Sequence, residues 1–200
     1  DKKGKKSAGL PPLPSTPSYS VTILPFQDLS QSAHGSQLRD TLGKHLQFLL
    51  VSNTSLTPRL VGDEAGNIAD AVNIGRSQNS DLVLMGTVLG AEVEERESGG
   101  SGLGFGGISL GGKSKSQDAV VVLQVEVVDV ARGKRITSLR ITGKDHQDKA
   151  SAVSIGTGHG SMDMGNPDFR KSALGKATEK ALNDLLAQFV RDIPFLQLRH

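Results

Sequence analysis

Two stretches of this chain are patterned as strands. Asp81 to Glu95 reads DLVLMGTVLGAEVEE, and Asp118 to Val130 reads DAVVVLQVEVVDV. Both are dense in β-branched residues, which suit a pleated, half-buried surface. Between them, from Gly99 to Gly112, runs GGSGLGFGGISLGG, which holds eight of the chain's 24 glycines together with Leu103, Phe105, Ile108 and Leu110. A glycine-rich segment has low intrinsic order. Apolar side chains exposed on it gain nothing alone. They predict a surface that a partner subunit, a membrane or a secreted substrate covers.

The rest of the chain reads in the same way. SVTILPF, Ser20 to Phe26, predicts a short buried strand, with Pro25 tolerable at its end. Leu38, Leu42, His45 or Leu46, Leu49 and Leu50 repeat at helical spacing and predict a helix from Ser32 to Val51. His45 reads as a packing residue of that helix. SLTPRLV, Ser55 to Val61, predicts a second strand, which Pro58 places near an edge. A short helix follows at Ile68 to Ser77, with Ala69, Val72 and Ile74 as core contacts. Strands at Leu82–Glu94 and Ala119–Val130 come next. DVARGK, Asp129 to Lys134, signals a hairpin in which Gly133 takes a positive φ. It leads into a strand at Arg135–Gly143. Lys144 to Gly165 is polar and glycine-bearing and reads as a second flexible insertion.

Asn166-Pro167-Asp168 opens the last helix. Asn caps a free amide, Pro suits the first helical position and Asp complements the helix dipole. Phe169, Leu174, Ala177, Ala181, Leu182, Leu185, Phe189 and Val190 line one face as far as Arg191, and Pro194 stops the helix. The predicted order is β-α-β-α-β-β-β-α. That is an α/β (α+β) fold: a mixed sheet of about five strands with helices packed on it and two flexible insertions.

Composition changes this picture at its margins. Two hundred residues suffice for one core. Residues 1–18 combine four lysines with PPLPSTP and read as an extended Lys/Pro-rich linker, which leaves 19–200 as one domain. Lys2, Lys3, Lys5 and Lys6 account for more than the whole net charge of +2, so the domain itself carries no basic field. With aromatics at 4%, it lacks a stacking platform too, which argues against nucleic acid as a partner. The absence of Cys removes disulfides, thiol catalysis and Cys-based metal sites together. No apolar run approaches the roughly 20 residues of a membrane helix. No signal peptide opens the chain, and a start at Asp1 rather than Met leads us to expect a processed N-terminus.

Catalytic patterns are weak. SIGTGHGS, Ser154 to Ser161, has spaced glycines but no strand feeding directly into it, so it is not a phosphate loop. No two of the five histidines fall at metal-ligand spacing on one helix face. His146, Asp148, His159 and Asp163 read as a solvated loop rather than a metal site. Glu92, Glu94 and Glu95 read as charges guarding a strand end. The expectation is no enzyme, no cofactor and no metal.

Four segments in succession carry a resemblance. They are VTILPF (Val21–Phe26), SDLVLMGTV (Ser80–Val88), VVVLQVEVVDVARGKRI (Val120–Ile136) and FRKSALGKATEKALNDLLAQF (Phe169–Phe189). In this order and spacing the chain resembles the curli production assembly and transport component family (CsgG-like) over about residues 20–190. The resemblance implies an α/β periplasmic domain of a bacterial outer-membrane lipoprotein that oligomerises and exports a secreted protein substrate. It also implies two membrane-spanning β-hairpins, which would leave the domain at Glu95–Gln117 and Gly143–Gly165. Leu103, Phe105, Ile108 and Leu110 then become the membrane or subunit contact. The other reading left open is a non-channel periplasmic lipoprotein that activates or scaffolds a cell-wall enzyme by contact.

Overall fold

Adjacent residues of a strand point to opposite faces of its sheet, and that alternation organises this molecule. The computed structural model describes residues 19–98, 114–148 and 162–192. Its strands are β1 (Ser20–Ile23), β2 (Gln27–Asp28), β3 (Thr57–Leu60), β4 (Leu82–Ser98), β5 (Ser114–Asp129) and β6 (Lys134–Asp148). Its helices are α1 (Ala33–Asn53), α2 (Ile68–Ser77), α3 (Pro167–Lys171) and α4 (Ala173–Asp192). The strands form one six-stranded sheet in the order β3-β1-β4-β5-β6, with β2 paired to β4. β1 runs parallel to both β3 and β4. β4, β5 and β6 are antiparallel neighbours. The fold is therefore the expected mixed sheet, with Pro58 on an edge strand as its missing N–H requires.

Leu82 and Leu84 of β4 join a core with Leu38, Leu42, Leu46 and Leu50 of α1 and Leu174, Leu182 and Leu185 of α4. Val83, between them, points the other way and packs with Ala71 and Val72 of α2. We call the first the helical face and the second the opposite face. Ser32 caps α1, its side chain accepting from the Gly35 amide at 3.0 Å. The β5–β6 turn is as expected: Gly133 has φ of 65°, and Asp129 accepts from the Arg132 amide at 3.0 Å.

Several expectations are corrected. The strands do not stop at Glu94 and Gly143 but run to Ser98 and Asp148, and β5 begins at Ser114 instead of Ala119. Part of each region expected to be a soft insertion is thus paired strand. Gly143 does not end β6; it lies beneath α4, where a Cβ would collide with the Ala177 carbonyl. The last helix is broken at Ser172. That side chain donates to the Phe169 carbonyl (2.6 Å) and accepts from the Gly175 amide (3.0 Å), ending α3 and capping α4. In α2 the buried residues are Ala71, Val72 and Gly75, while Ala69 is exposed. Val190 is 41% exposed despite its place in the apolar stripe of α4.

Candidate functional site

The β4–β5 hairpin is longer than the core it covers. Its inner rungs are apolar on the helical face: Val88 opposite Leu123, Ala91 opposite Val121 and Val93 opposite Ala119. A register shift between Val88 and Gly90 makes Leu89 an extra residue in β4, the kind of bulge that bends a strand and increases its twist. Beyond Val93 the character changes on both faces at once.

On the helical face the outer rungs are Glu95 opposite Gln117 and Glu97 opposite Lys115, with Gln147 of β6 next to Gln117. Gln117 donates to Glu95 at 2.8 Å, and Lys115 pairs with Glu97 at 2.5 Å. Gln147 is buried and donates to the Lys171 carbonyl at 2.9 Å, which ties β6 to the end of α3. Asp145 pairs with Lys180 of α4 at 2.6 Å.

On the opposite face the outer rungs are Glu94–Asp118–His146 and Arg96–Ser116–Asp148. Arg96 meets Glu94 at 3.1 Å and Asp118 at 3.4 Å. His146 Nδ1 lies 2.6 Å from Asp118, and its Nε2 lies 3.3 Å from Asp148. These hydrogen bonds, and then the charges of the two carboxylates, raise the His146 pKa above its ordinary value. One chain of polar contacts therefore spans three strands. Residue by residue the sequence does not show it: Glu94 reads as a strand-end charge, and His146 and Asp148 read as loop. The available signal was the period of two in Asp145-His146-Gln147-Asp148, which sends alternate residues to opposite faces.

The last described pair of the hairpin is Ser98 opposite Ser114. Residues 99–113 thus connect two paired strand ends. Leu103, Phe105, Ile108 and Leu110 fall in that segment, outside the described residues. β6 ends at Asp148, which pairs with Ser116. The described end of β6 thus lies at the same end of the sheet as Ser98 and Ser114. The chain returns at Met162, and Asp163 docks on α1. There Thr41 donates to its carboxylate at 3.1 Å and the Gly165 amide at 2.9 Å. Those two bonds, more than the nearby Lys44 and His45, lower the Asp163 pKa.

His45 is half-buried and stacks on Phe48 with ring centroids 5.9 Å apart. Burial first, and then Arg170, lowers its pKa, against the opposing pull of Glu179 and Asp163. Among the described residues no group of three or more His, Asp or Glu side chains is placed to hold a metal ion. An open cleft of about 590 Å³ lies where β1 ends, lined by residues that include Leu24, Gln27, Asn67, Ile68, Met85 and Glu126. Among the described residues of that lining Glu126 is the one ionisable side chain, and Arg135 pairs with it at 2.5 Å. No helix among the described residues is long and apolar enough to cross a membrane. Strands cross by a different pattern.

The family model described as curli production assembly/transport component CsgG matches residues 59–194, a span that contains the whole hairpin. The chain belongs to the CsgG family. No curated protein matches this CsgG-family chain. Among solved structures, hypothetical protein CT253 from Chlamydia trachomatis shares the fold. It has a TM-score of 0.55 at 11% identity, over 86% of this chain and 96% of that one. Lipoprotein GNA1162 from Neisseria meningitidis aligns at 15% identity with a TM-score of 0.43, over 89% of this chain and 99% of that one. The PelC dodecamer from Paraburkholderia phytofirmans aligns at 20% identity with a TM-score of 0.42, over 64% and 71%.

Proposed function

We propose that this CsgG-family chain is a bacterial envelope component of protein secretion or assembly. It oligomerises and works by protein–protein contact, without catalytic turnover, at the periplasmic side of the outer membrane. The observation that carries the reading is the hairpin described above, within the span matched by the family model. Its paired ends at Ser98 and Ser114 bracket the segment with Leu103, Phe105, Ile108 and Leu110. A ring of identical neighbours would bury such a segment in every copy, since head-to-tail contacts close when the rotation permits.

Replacing those four residues with Ser tests the proposal. The domain should keep its unfolding midpoint, while oligomer formation and export are lost. Export by the quadruple variant at the unsubstituted level would overturn it.

A second reading is favoured by one observation. A strand in lipid carries an apolar band on its outer face, where charges are costly. The outer rungs of β4 instead run Glu94, Glu95, Arg96 and Glu97, with charge on both faces. That supports a hairpin that contacts a protein in the periplasm, as in an activator or scaffold of a cell-wall enzyme. A lipidated full chain that stays monomeric in detergent and in liposomes would move the assignment to this reading.

A further inference from the structure

We propose that the Glu94–Arg96–Asp118–His146–Asp148 network is a pH-operated clasp. It holds the roots of both insertions together while His146 is an imidazolium and slackens when the ring loses a proton. The argument begins with hydrogen count. Both ring nitrogens face carboxylate oxygens, Nδ1 at 2.6 Å from Asp118 and Nε2 at 3.3 Å from Asp148. A carboxylate only accepts, so the ring must donate twice, and only the imidazolium carries two N–H groups. Neutral imidazole would point a lone pair at one carboxylate.

The position gives the contact its consequence. Asp118 lies on β5 just inside Ser114, where the chain re-enters from residues 99–113, and Asp148 is the last residue before 149–161. β4 joins through Arg96, which bridges Glu94 and Asp118. On this face the charged neighbours of His146 are Glu94 and Arg96 from β4, Asp118 from β5, and Lys144 and Asp148 from β6. From the helices, Lys180 of α4 reaches Asp145 and the Lys144 carbonyl rather than His146. With His146 neutral, Glu94 and Asp118 share Arg96, and Asp148 loses its contact with the imidazolium.

The direction follows from the raised His146 pKa. The contribution is complete below about 6.5, the unfolded value, and is lost as pH rises through the higher folded value. Histidine is suited to this because its ordinary titration lies in the physiological range.

Amide-exchange protection in the full chain tests the clasp. Rates are normalised to those of an unstructured chain at the same pH, and compared at about pH 6 and about pH 8.5. Lys144–Asp148 and Lys115–Asp118 should lose protection severalfold at the higher pH, while Val121–Val125 do not change. His146→Arg should keep the outer rungs protected at both values. Asp118→Asn, which removes one charge and keeps the shape, should reduce the pH response. Equal protection of the wild-type outer rungs at both pH values would overturn the clasp. So would a His146→Arg chain that responds to pH as the wild type does, or an undiminished response in Asp118→Asn.

Discussion

Gly143 of β6 lies against Ala177 of α4 so closely that a Cβ on it would strike the Ala177 carbonyl and stand 2.9 Å from the Ala181 Cβ. The helix is seated on bare backbone at this point. Gly143→Val must push the helix away or distort the strand, and overpacking of this kind costs about 1–3 kcal/mol. The expected result is a lower urea midpoint with an unchanged slope. An unchanged midpoint would mean that α4 does not rest there.

Leu182 and Val190 lie on one helix and should behave oppositely. Leu182 is fully buried, and Val190 is 41% exposed. Leu182→Ala should cost about 2–5 kcal/mol through lost burial and the cavity left behind. Leu182→Asp should abolish cooperative unfolding, since it buries a charge without a partner. Val190→Ala should fall within about 0.5 kcal/mol of wild type. Thermal melts of the three variants check the ranking.

His45 and His146 should pull stability in opposite directions with pH. Burial lowers the His45 pKa. Its unfavourable effect is absent above the unfolded value of about 6.5, and grows as pH falls through that value toward the lower folded one. In a His146→Gln background, stability should therefore decline between about pH 7.5 and pH 5.5. Adding His45→Gln should flatten the decline. A slope that is the same with and without His45 would contradict the burial that lowers its pKa.

Thr41 joins α1 to the segment that returns to the core. Its hydroxyl donates to Asp163 and accepts from the Met164 amide at 3.0 Å. Thr41→Val leaves that buried amide without its acceptor, at a cost of about 1–3 kcal/mol. It should also raise the Asp163 pKa, now held low in part by this bond. The Asp163 contribution is present above about 3.8 and is lost as pH falls through the folded value, so the variant should lose it at a higher pH. A carboxyl titration followed by NMR reads the change.

How far the sequence carries the fold depends on how many residues share a signal. The stripe of Leu38, Leu42, Leu46 and Leu50 repeats through α1, and all four are buried. The cap at Asn166 is local and complete, its side chain accepting from Asp168. β2 is only two residues long, too short for any period, and exists because Gln27 and Asp28 run beside Thr87 and Val88. The strand expected at Arg135–Gly143 stops short because a lone glycine looks the same in sequence whether the chain turns or a helix presses on it. The outer rungs were missed for a related reason. Lys115, Asp118, His146 and Asp148 are loop-like one by one, and only their partners across the sheet make them strand. The polar network shared that fate, since the register that assembles it is not visible along the chain.

The pairing of Ser98 with Ser114, and of Ser116 with Asp148, has a consequence for how this fold can diversify. Each segment beyond those rungs starts from a point the sheet already holds. Doubling the length of a loop closed in this way costs only about 0.6 kcal/mol in chain entropy. The sheet end thus works as a mounting plate, on which segments of different length and greasiness can be exchanged while α1, α4 and the inner rungs go on folding unchanged.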